Sequence, residues 1–275
     1  MNEESAMKAC LTKSVILAIA SFITSFISYL FGGTLWYNSA QSPLIHRASL
    51  WDFFLGLFTP RTLIVSIELA FTFSAIFFAL MQPEYLTNSF RFTSQDTKIL
   101  VTYFVIGIAL ACVFGPTLLD SLGTTNLTSW LALTICAGAS ATMLSGVGTD
   151  GVNLILTSIC EALIGLAIMV AFLANLKHLG EITATKDFSE RAAFIASVIG
   201  FSGIVASALC FLSDRLYYMN RNITIYVYLM SSAFPVGFLL ISTILHYVTA
   251  KLFPISSASL TNSQASSGNK QKSAN

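Results

Sequence analysis

Charge is what this chain has least of. Only 10% of its 275 residues are Asp, Glu, Lys or Arg, against roughly 25% in a soluble domain, so the bulk of it cannot be an ordinary water-soluble fold. The 14 Lys and Arg nearly balance the 13 Asp and Glu, for a net charge of +1, and no basic surface for nucleic acid is implied. Histidine occurs three times and cysteine five. Four cysteines (Cys112, Cys136, Cys160 and Cys210) fall inside apolar runs without CxxC spacing, and Cys10 just precedes one. That pattern excludes a disulfide framework and a zinc site. There is no phosphate loop, metal triad or nucleotide fingerprint, so neither an enzyme nor a cofactor is expected.

Hydrophobic residues make up 55% of the chain. Crossing about 30 Å of hydrocarbon takes roughly 20 apolar residues. Runs of that length occupy residues 14–37, 62–82, 99–119, 152–174, 192–213 and 225–250. A further stretch, 129–148, is apolar but rich in Gly, Ala, Ser and Thr, and leads into "SGVGTDG". These predict an all-α, polytopic transmembrane bundle with six spans plus a re-entrant or seventh helical segment. Residues 1–13 read as a cytoplasmic N-terminus and 14–37 as a retained span, since a signal peptide has a shorter core and a cleavage site. The tail 255–275 has almost no apolar residues and is expected to be disordered.

Cytoplasmic loops of membrane proteins are enriched in Lys and Arg. If 129–148 dips in and returns, both termini are cytoplasmic. Lys8, Lys13, Arg91, Lys98, Lys177, Lys186, Arg191, Lys251, Lys270 and Lys272 then lie inside, with Arg47, Arg61, Arg215 and Arg221 outside. If 129–148 crosses, the better orientation splits the same residues eight to six. The charges favour the re-entrant arrangement in a plasma, bacterial inner, membrane. Both Asn-x-Ser/Thr sequons, at Asn126 and Asn222, are then external.

Two acids lie inside apolar runs: Glu68 in "LIVSIEL" and Glu161 in "LILTSICEAL". One acid at the centre of a span costs roughly 2.5–3.5 kcal/mol on insertion scales. Leu, Ile, Val and Phe repay roughly 0.3–0.6 kcal/mol each, so insertion tolerates Glu161 without demanding a role for it. "FGGTL" at 31–35 recurs as "FGPTL" at 114–118, each ahead of a loop and an acidic span. This is consistent with an internal repeat placing Glu68 and Glu161 at matching positions, as in transporters. Gly146, Gly148 and Gly151 surround Asp150, as either an ion-facing constriction or a tight turn between antiparallel spans. His46, His178 and His246 are each read as lacking a partner ligand.

The stretches 60–69 and 145–176 resemble the pore-loop and inner-helix region of bacterial potassium channels of the two-helix type. The likeness runs through Glu161, Ala162, Leu163, Ile164 and the hinge-like Gly165, with Pro60 to Leu69 similar to the approach into the same helix. The family's Thr-x-Gly-Tyr/Phe-Gly filter is not matched; Gly146, Val147 and Gly148 keep only Gly-x-Gly. The resemblance implies a channel-like protein passing a small ion, with Glu161, Glu68, Gly146, Gly148 and Asp150 along the path. A proton-coupled secondary transporter and a non-transporting membrane subunit or assembly factor are the alternatives. The expected partners are the lipid bilayer, a small ion, and further copies of the chain or other membrane subunits.

Overall fold

The computed structural model describes residues 60–90, 92–147, 153–182, 188–220 and 233–252, with scattered helical positions between Lys8 and Ile23 and one turn residue, Phe58. Most of the expected span 14–37, the beginning of 225–250 and the tail 255–275 therefore lie outside the described residues.

Among the described residues from Pro60 onward, six helices follow one another: α1 (Pro60–Phe90), α2 (Ser94–Leu122), α3 (Thr125–Val147), α4 (Leu154–Ile182), α5 (Phe188–Asn220) and α6 (Phe234–Leu252). Among the described residues, five helices are long and apolar enough to cross a membrane, all except α3. The described residues are all-helical, and the chain is a multi-pass integral membrane protein. Several helices overrun the apolar stretch that predicted them. At 1.5 Å per residue, α4 is about 43 Å long, well beyond the roughly 30 Å of hydrocarbon.

Local chemistry sets the boundaries. Pro60 opens α1, where a missing N–H costs nothing. Thr93 caps α2 in a reciprocal box: Asp96 N–H donates to Thr93 Oγ1 at 3.2 Å, and Thr93 N–H donates to Asp96 Oδ2 at 2.8 Å. Gly123 ends α2 at φ 68°, a left-handed conformation that glycine adopts without strain. Asn153 caps α4 by accepting from the Leu156 N–H at 3.2 Å.

Consecutive helices alternate in direction. Thr72 on α1 meets Asn175 on α4 and Ser242 on α6, while Phe78 stacks with Phe234 at 5.2 Å. Both α4 and α6 thus run antiparallel to α1. Val65 and Leu69 near the start of α1 cluster with Leu179 and Ile182 at the end of α4 and with Phe194 and Val198 early in α5. Asp120 at the end of α2 pairs with Lys177 at 2.8 Å. One end of the bundle, the first end, therefore holds the starts of α1, α3 and α5 and the finishes of α2, α4 and α6.

That alternation revises one expectation. The 129–148 stretch falls on a continuous helix that runs from the first end towards the second, instead of dipping and returning. Asn126 consequently lies at the first end; Asn222 falls outside the described residues. Residues 60 and 252 do share an end. The expected span 14–37, on which the side of the N-terminus depends, lies for the most part outside the described residues.

α4 is the central element of one half, flanked by α2 and α3; α1 holds the same place in the other, between α5 and α6. The α2–α4 contact is backbone against backbone. A methyl group at Gly107 would collide with the main-chain carbonyl of Ala162, and one at Gly165 with that of Phe104. Small residues at such crossings let helices approach closely where lipid offers no hydrophobic drive for association.

Candidate functional site

Where α1, α3, α4 and α6 converge at the first end, the interior is polar. Glu68 is 1% exposed and His246 fully enclosed. Glu68 Oε1 stands 2.8 Å from His246 Nδ1, and its Oε2 accepts from the Thr249 hydroxyl at 2.7 Å. The other imidazole nitrogen, Nε2, is 3.0 Å from Thr125 Oγ1. Thr125 opens α3, so the first turn of that helix closes the site from the side. All four groups are buried.

This hydrogen-bond set has an unusual property. With Glu68 ionised and His246 neutral, Nδ1–H donates to the carboxylate and Nε2 accepts from the Thr125 hydroxyl. With His246 charged, Nε2–H donates to the same hydroxyl, because a threonine oxygen serves as donor or acceptor by turning its hydrogen. A proton can thus arrive and leave while no buried polar atom of the pair loses its partner, which would otherwise cost about 1–3 kcal/mol.

One turn deeper, Thr72 Oγ1 and Ser242 Oγ are 2.6 Å apart. The amide of Asn175 donates to both, at 2.8 and 3.0 Å, and the Ser242 hydroxyl donates to the main-chain oxygen of Glu68 at 3.1 Å. His178, one turn along α4 from Asn175, lays its ring 4.6 Å from that of His246, tilted by 58°. Its Nε2 is buried and without a hydrogen-bond partner among the described residues. Glu181, partly buried on the next turn of α4, lies within electrostatic reach of His246 and Lys177.

Glu161 sits apart from this cluster. It is fully enclosed, and neither carboxyl oxygen has a hydrogen-bond partner among the described residues. Cys160 and Cys136 are its electrostatic neighbours, and Ser140 on α3, a hydrogen-bond neighbour of Cys136, is likewise buried. Seventeen residues of α4 separate Glu161 from His178, about 25 Å of helix. The sequence put Glu161 near the middle of a span 152–174; in the structure it is two turns from the start of a longer helix, at the second end.

The two acids therefore do not share a site or a level. Each lies near the start of its helix, but α1 and α4 run in opposite directions, so Glu68 and Glu161 face opposite ends of the bundle. Of the other candidate residues, Gly146 lies in the last turns of α3, and Gly148 and Asp150 fall outside the described residues. Ser145 and Val147 are likewise helical. His246, expected to be unpaired, is the residue most fully engaged with Glu68.

Thr72, Thr125, Asn175, Ser242 and Thr249 escaped the sequence analysis altogether. Spacing carried a signal for some of them. Ser242, His246 and Thr249 recur at four and three residues, and Glu68 and Thr72 at four, which places each set on one helix face. A polar stripe along a lipid-length apolar helix has to face protein. Among the described residues no group of three or more His, Cys, Asp or Glu is placed to hold a metal ion. Comparisons with protein-family models, with curated proteins and with solved structures find no match.

Proposed function

We propose that the chain is a proton-coupled membrane transporter, with Glu68 and His246 as its proton-binding pair. One observation carries this reading: the pair is enclosed between helices, with both imidazole nitrogens and both carboxyl oxygens within hydrogen-bond distance of a partner. Acid and histidine chains within membrane-spanning helices are the usual substance of proton relays. The convergence of four helices at the pair gives a proton the means to alter their packing, as alternating access requires. Glu161 supplies a second buried carboxyl at the other end.

A channel that passes a small ion is less well supported by the same geometry. Glu161 is enclosed, where a pore-lining group would face a water-filled path, and Ser145 to Val147 belong to a helix. The experiment is flux through purified protein in liposomes loaded with a pH-reporting dye, under sodium, potassium and proton gradients in turn. Proton movement that depends on a cation gradient, saturates with it and is abolished by Glu68→Gln is the expected result. Unsaturable passive flux would make the protein a channel. Silence under every gradient, from folded protein, would leave a non-transporting subunit.

A further inference from the structure

The polar cluster beneath the proton pair has the composition of an ion site. We propose that Thr72, Asn175, Ser242 and the main-chain oxygen of Glu68 bind a small monovalent cation of the sodium type, in competition with the proton on Glu68 and His246. This rests on the proton-coupled reading and names its substrate class.

The ligand chemistry comes first. Two hydroxyls, one side-chain amide and one carbonyl are hard oxygen donors, suited to alkali and alkaline-earth ions and poor for zinc or copper. They come from α1, α4 and α6, so an ion held there would tie three helices together. The local formal charge then selects valence. One buried carboxylate, Glu68, lies a single turn away and matches one positive charge, whereas a divalent ion normally recruits several carboxylates.

In the structure the partial positive charge at the centre of the cluster is the Asn175 amide nitrogen, 2.8 Å from Thr72 Oγ1 and 3.0 Å from Ser242 Oγ. The terminal amide torsion is soft and roughly two-fold. Turning it puts Oδ1 in place of the nitrogen, so that the cluster then holds four oxygens and no N–H donor. At 2.6–3.0 Å the side-chain atoms are in hydrogen-bond contact, so an ion enters only as α1, α4 and α6 part to admit it.

Competition with protons follows from position. Among the described residues, the titratable groups facing Glu68 are His246 on α6 and, behind it, His178 and Glu181 on α4. α3 presents Thr125 there, and α5 presents the apolar Phe194 and Val198 at this level. A proton on the pair cancels the negative charge nearest to the oxygen cluster among the described residues and so weakens its hold on the cation. Cation entry correspondingly favours proton release, which is the exchange that an antiporter needs.

Thermal unfolding of the detergent-purified full chain tests the site without requiring transport. Melting is compared in sodium, lithium or potassium chloride and in choline chloride at equal ionic strength, at about pH 8 and about pH 5.5. The expected result is a rise of roughly 5 °C with a small alkali cation well above its dissociation constant, shrinking at the lower pH. Ser242→Ala and Thr72→Val should each abolish the rise while melting cooperatively in choline. No rise in the wild type with any of the three cations, or a rise that survives both substitutions, overturns the site. A rise indifferent to pH overturns the competition with protons. A pH-dependent rise from a chain that moves no protons in liposomes supports the site and sinks the transport reading alone.

Discussion

Glu68 and His246 are 178 positions apart in sequence and 2.8 Å apart in space. The pair joins α1 to the finish of α6, and Thr125 bonds the same imidazole from α3. Removing one member of a buried pair strands the other, which typically costs about 3–5 kcal/mol. Glu68→Leu and His246→Phe should each destabilise the detergent-solubilised protein by about that much. The double variant should cost clearly less than their sum, giving a coupling of about 0.5–3 kcal/mol in a double-mutant cycle. Strict additivity would mean that the two side chains do not interact.

Glu161 should behave in the opposite way. Both of its oxygens are enclosed and unpartnered among the described residues, so its removal relieves a penalty of about 1–3 kcal/mol. Glu161→Met is expected to raise the unfolding temperature and, if the acid serves transport, to lower flux at the same time. Lipid-soluble carbodiimide, which reacts with protonated carboxyls, should label Glu161, and mass spectrometry of the digested protein reads this directly. A destabilised Glu161→Met variant would mean that the acid has a partner.

The α2–α4 contact depends on two missing side chains. Gly107→Ala and Gly165→Ala would each press a methyl group into main-chain atoms of the other helix, and overpacking of that kind costs about 1–3 kcal/mol. Gly138 on α3 has open space around it. Gly138→Ala should be neutral or stabilise by up to about 1 kcal/mol. Equal melting temperatures for all three variants would contradict the close approach.

Helix direction is open to chemical labelling. In a chain with Cys10 and Cys112 replaced by serine, a cysteine at Ser121 marks the first end and one at Asn153 the second. A membrane-impermeant thiol reagent should reach these two positions from opposite sides. Same-side labelling would restore the re-entrant form of 129–148 and remove the alternation of α2, α3 and α4.

Composition by itself determined that this chain lives in a membrane. So few charges among so many apolar residues leave no other solvent for it, and lipid-length runs then become helices because nothing else satisfies the backbone there. The two acids were visible for the same reason: a carboxylate in an apolar run stands out whatever surrounds it. What surrounds it was decided in three dimensions. Glu68 gained His246 and Thr249 from the far end of the chain, whereas Glu161 gained no hydrogen bond among the described residues, although their local sequences look alike. Apolar periodicity carries no record of which face meets which helix, since lipid and a neighbouring helix are equally apolar. The direction of α3 was hidden too. Loop charges report sidedness only as a weak bias, while the packing of Thr125 against His246 at one end places the start of that helix outright.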